Sequence, residues 1–84
     1  MTAFDLSAHA ARVLQERGIA EAWVARAMAP PQRTAPDPSD PTALHALLSI
    51  REFGGRVLRV VDNQHIKPPR IVTAFFDRSI KGRL

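Results

Sequence analysis

The residues of this chain that could carry chemistry are three histidines, twelve lysines and arginines, and a few hydroxyls. His9, His45 and His65 fall on three separate stretches, and no pair has the short spacing of a local zinc site. The chain has no cysteine, which removes a thiolate metal site, a disulfide framework and a cysteine nucleophile together. Gly54-Gly55 and Gly82 do not form a phosphate-cradling loop, which needs a strand, several spaced glycines and a helix start. The expectation is a protein that uses neither metal nor cofactor.

Acid–base and anion chemistry remain. His9 lies on a helical stretch beside its apolar stripe, sharing a flank with Arg12 and Glu16. Histidine titrates near neutrality and suits proton transfer. Arg17 falls in line with Leu6, Ala10 and Val13, where an apolar residue belongs. An unpaired charge buried there is costly, so it needs a partner or a polar cavity. The plain alternative is that Arg17 snorkels out at the helix end and His9 caps a backbone group.

Two further arginines depend on strand register. A three-residue connection at Gly54-Gly55 would put Arg51 opposite Arg59 on one face, with Leu48, Ile50, Leu58 and Val60 on the other. A two-residue connection scatters that pattern. Two guanidiniums on one face suit an anion. Thr73 adds a hydroxyl in a later strand, or is simply a β-branched strand former.

These residues need a frame. The first helix starts near Asp5 or Ser7, either of which can cap it. Leu6, Ala10, Val13 and Leu14 form one stripe, and Gly18 followed by Ile19 ends it in a Schellman-type stop. A second helix runs over 20–28, with Trp23, Val24, Ala27 and Met28 on its core face, and Pro30-Pro31 stops it. Residues 30–41, with five of the seven prolines, read as an extended loop. Residues 44–53 fit a helix or a strand. The Gly54-Gly55 that follows, ahead of a β-rich run over 56–62, decides for a hairpin. Residues 70–76 make a third strand, and 77–84 a basic tail.

The whole is one domain over residues 1–84. Its fold class is α+β, two N-terminal helices packed on a small antiparallel sheet of three to four strands. No secretion signal or membrane-spanning run is apparent, so the expectation is a soluble, cytoplasmic protein. Net charge is +4, and it is lopsided. Residues 1–42 hold four arginines against five acids, and residues 43–84 hold eight basic residues against three. The sheet half is thus the basic half. A polyanion, nucleic acid above all, is its natural partner. A merely solubilising charge is the bland alternative.

His9-Ala10 with Arg12, then Glu16-Arg17-Gly18-Ile19 and Val24, resembles the opening of the bacterial domain-of-unknown-function family 4258. Residues 56–61 (RVLRVV) and 71–78 (IVTAFFDR) resemble its ending. That family is similar in layout to small RelE-, ParE- and BrnT-like toxins, in which helices cover one face of an antiparallel sheet. The resemblance implies a catalytic set of His9, Arg17, Arg59 and Thr73. Arg12, Arg51, Arg56 and Arg78 are the basic residues expected to contact nucleic acid. Ala20 departs from the usual Ser or Thr cap of the second helix.

Beside a purely structural accessory domain, in which these residues would not cluster, two readings of function follow. The first is a toxin-like, metal-independent ribonuclease, in which the RNA 2′-OH is the nucleophile, His9 moves the proton and arginines hold the phosphate. The second is a non-catalytic binding module for nucleic acid or a partner protein. RNA and a cognate antitoxin-like protein are the expected partners. The oligomeric state is left open.

Overall fold

The computed structural model describes residues 4–29 and 31–80. In chain order the elements are β1 (Asp5–Leu6), α1 (Ala8–Arg17), α2 (Glu21–Met28), β2 (Arg33–Pro36), β3 (Ala43–Ile50), β4 (Arg56–Asn63) and β5 (Arg70–Asp77). Single 3-10 turns follow β3 (Arg51–Phe53) and β5 (Arg78–Ile80).

The helices form where capping and stripe coincide. Ser7 Oγ accepts the Ala10 N–H at 3.0 Å. At the far end Gly18 is left-handed (φ 65°), and the Ile19 N–H returns to Leu14 O at 2.9 Å. Ile19 thereby enters the core, as a Schellman stop requires. α2 has no side-chain cap at Ala20 and relies on packing: Val24 and Ala27 are buried, with Trp23 and Met28 beside them. Of the proline pair expected to end it, Pro30 lies outside the described residues, as do residues 81–84 of the expected basic tail.

The sheet is larger than expected. Among the described residues it has five strands in the order β1-β5-β4-β3-β2, and it is mixed, because β1 pairs parallel to β5. Three to four antiparallel strands is therefore corrected in number and in kind. β2 lies inside the stretch expected to be a loop. It is an edge strand pairing only with β3, where Pro36 can be tolerated because one side of the strand needs no N–H donor. β1 is two residues long, too short to show any periodicity.

The hairpin forms, but its connection is longer. Ile50 pairs with Arg56, so residues 51–55 connect the strands, and Leu47, not Arg51, stands opposite Arg59. The expected strand over 44–53 ends at Ile50 for a packing reason. Alternation would put Phe53 on the face away from the helices. The 3-10 turn instead swings it back, 5.9 Å from Trp23 and 4.8 Å from Phe76 between ring centroids. Arg51 leaves the sheet with that turn. Gly54 (φ 68°) and Gly55 (φ 74°) then supply the positive φ that closes it.

Both helices pack on one sheet face. Ala46, Ile50, Leu58, Val60, Ile71 and Ala74 meet Ala10, Leu14, Ile19, Val24 and Ala27 there, with Leu48 alongside. The grouping expected for Leu48, Ile50, Leu58 and Val60 is the one observed. β5 carries a bulge: Val61 pairs with Thr73 but Asp62 with Ile71, leaving Val72 extra and exposed. No helix among the described residues is long and apolar enough to cross a membrane.

Candidate nucleic-acid interface

Strand alternation sorts the candidate residues by face. β3 turns His45 and Leu47 away from the helices, β4 turns Val57, Arg59 and Val61, and β5 turns Thr73, Phe75 and Asp77. On this far face four polar side chains join across the sheet. Asp37 Oδ1 lies 2.7 Å from His45 Nε2, and His45 Nδ1 lies 2.8 Å from Arg59 Nη1. Arg59 donates through Nε to Asp77 Oδ2 at 3.0 Å, and its Nη2 reaches the same oxygen at 2.9 Å.

The donor inventory orients this chain. Guanidinium can only donate, so His45 Nδ1 accepts and Nε2 carries the ring proton toward Asp37. Asp37 Oδ2 also accepts the Ser39 and Asp40 N–H groups and the Ser39 hydroxyl. The His45 hydrogen bond, then those backbone donors, hold the Asp37 carboxyl far below the usual carboxylate range. Asp77 is lowered as well, first by the Ser79 hydroxyl, then by the Ser79 N–H and Arg59, with burial opposing. Every member has a partner. Neither His45 nitrogen is left to take a substrate proton, and Arg59 is neutralised by Asp77.

The residues carried over by resemblance divide between the two sides of the sheet. Arg59 and Thr73 share the far face. His9 and Arg17 are on α1, in the helix layer, so the four do not meet on one surface. His9 is exposed, its Nδ1 3.4 Å from Arg12 Nη2. Arg17 has found the partner its position demanded: Nη1 donates to Ala74 O at 2.7 Å. Together with Ser7, whose hydroxyl donates to Val72 O, it caps carbonyls along the β5 edge, a usual way of blunting an exposed strand.

A different gathering occurs at the hairpin end of the sheet. Arg56 opens β4 and Arg78 follows β5, one step beyond the Val57–Asp77 pair. Arg51 lies in the adjoining turn. All three are exposed, and none has a salt-bridge partner among the described residues. The Arg56 guanidinium sits over the Phe53 ring, 4.7 Å from its centroid. Arg56, Phe76, Asp77 and Arg78 line an open cleft of about 290 Å³. Nearby, Arg26 pairs with Glu52 at 3.0 Å.

His45, Asp37 and Asp77 were not foreseen as members of a polar chain. Once the β3–β4 and β4–β5 registers are known, His45 and Asp77 are both diagonal neighbours of Arg59, within reach of a long side chain. Asp37 belongs to a loop and carries no periodic signal. Among the described residues no cluster of three potential ligands could hold a metal ion.

Two helices on one face of a mixed sheet, a closed polar chain on the other and an arginine cluster at one end define a small α+β domain with a basic rim. The chain belongs to the family described as Domain of unknown function (DUF4258), which matches residues 6–76. No curated protein and no solved structure matches it.

Proposed function

We propose that the chain is a non-catalytic module that binds nucleic acid, RNA in the first place, through the arginines at the hairpin end of its sheet. One observation carries the reading: Arg51, Arg56 and Arg78 are exposed at the same end of the molecule, with no salt-bridge partner among the described residues. Such guanidiniums release counterions from phosphates on binding. A proton-transfer group, by contrast, must lie within hydrogen-bond reach of the reacting atoms. His9 is on the helix side, and both ring nitrogens of His45 are engaged.

The likeness in layout to RelE-, ParE- and BrnT-like toxins, a bacterial cytoplasmic setting and a cognate antitoxin-like partner belong to this proposal. The module would retain the phosphate-holding surface of such proteins without their chemistry. The test compares wild type, His9→Ala and Arg56→Ala in binding and cleavage of one labelled RNA. Salt-dependent binding without cleavage, weakened by Arg56→Ala and indifferent to His9→Ala, is expected. Cleavage by wild type that disappears in His9→Ala would establish the ribonuclease reading instead. No salt-dependent affinity would end both.

A further inference from the structure

Resting on that reading, we infer that the cleft between Arg56 and Arg78 is a subsite for one unpaired nucleobase and its adjoining phosphate. Its volume, about 290 Å³, is at the low end of small-ligand pockets, enough for a single nucleotide unit rather than a longer segment. Its walls are flat groups. Phe76 is held between Trp23, edge-on at 6.0 Å, and Phe53 at 4.8 Å. Arg56 is seated on Phe53, so this otherwise mobile guanidinium has a preferred place before any ligand arrives. Unstacked bases are recognised on such aromatic and guanidinium planes.

The charges favour the same occupant. Asp77 also lines the cleft, but its oxygens already accept from Arg59 and from Ser79. Its negative charge is thereby offset. Arg56 and Arg78 are exposed at the rim, placed to meet the phosphate of a base that has entered. A base inside a duplex is stacked on both faces and cannot reach these walls without leaving the helix. An acidic peptide would match the charge but offers no ring to the aromatic wall.

The test uses the full chain and four probes of matched charge: a labelled single-stranded RNA, a duplex RNA of half its length, an abasic strand and a polyglutamate peptide. The strand with bases is expected to bind more tightly than the other three. Arg56→Lys keeps the positive charge and removes the planar surface. It should weaken binding of the single-stranded RNA by about tenfold, the scale of one lost stacking contact. The salt dependence and the affinity for the abasic strand should stay unchanged. Thermal unfolding of the variant, followed through Trp23 fluorescence, confirms that the fold is retained. Equal affinity for abasic and normal strands, with Arg56→Lys silent, overturns the base subsite while leaving the RNA-binding reading in place. Polyglutamate binding as tightly as the RNA overturns it in favour of a plain anion site. Absence of salt-dependent binding to every nucleic-acid probe removes the subsite and the parent reading together.

Discussion

Arg59 and Arg56 stand three residues apart on the same strand, and their surroundings are opposite. Arg59 is held on the far face by Asp77 and His45, with its side chain 16% exposed. Arg56 is exposed at the strand end, touching an aromatic ring but no carboxylate among the described residues. In the first place the guanidinium organises the protein: it ties β3, β4, β5 and, through His45, the loop holding Asp37. In the second it is available to a ligand. An arginine shared with a family's motif is therefore not by itself a ligand contact, because its partners decide its role.

The largest expected effect follows from breaking the closed region. Arg59→Ala leaves Oδ2 of Asp77 and the acceptor nitrogen of His45 without their donor, and should lower the unfolding free energy by about 3 kcal/mol. Arg56→Ala should stay within about 0.5 kcal/mol of wild type. Urea denaturation of the two variants reads both, and similar values would erase the contrast.

Asp62 offers a second, independent strain on the folded state. It is fully buried on the helix side, accepts a hydrogen bond from Gln64 and leaves Oδ1 without a partner among the described residues. Burial pushes its carboxyl up. The raised folded value means that the native state holds this proton more tightly than the unfolded chain does. Its contribution is most favourable in acid and is lost as pH rises through the folded value. Asp62→Asn should therefore stabilise the protein at pH 7 by about 1–3 kcal/mol, with the gain shrinking toward acid pH. Asp37 and Asp77, both lowered, run the other way: their stabilisation is present above the ordinary carboxylate range and is lost as pH falls through their folded values. Unfolding curves taken from acid to neutral pH separate the two trends.

Ala20→Ser touches neither region and supplies the missing helix cap. It should add about 1 kcal/mol of stability and leave RNA affinity as it was. Smallest of all is Glu52→Ala. The Arg26–Glu52 pair is half-exposed on both sides, so its loss should leave stability essentially unchanged. It also removes an acid beside the arginine cluster, so RNA should bind somewhat more tightly at low salt. Weaker binding would mean that the hairpin end is not the contact surface.

Much of the frame could be read from residue order. Ser7, Gly18 and Ile19 announced the limits of α1 because capping is local chemistry. Gly54-Gly55 announced the hairpin because both positions need positive φ. Residues 33–36 hid among prolines that argue against a strand, and only pairing with β3 makes them one. The site was less legible. Arg59 stood out by type, but its link to His45 depends on a register set by where Phe53 packs. Arg17 was recognisable as a charge needing a partner, although nothing local could identify Ala74 O, which is 57 residues away.

In the proposed binding mode the hairpin-end guanidiniums, and not the closed chain of the far face, meet the phosphates. This mode is tested most directly by the salt dependence of RNA affinity in the Arg56→Ala/Arg78→Ala double variant. Each lost phosphate contact should reduce the slope of log affinity against log salt by about 1. The double variant should thus fall by about 2 from wild type, with its thermal unfolding unchanged. A slope equal to that of wild type would contradict the account.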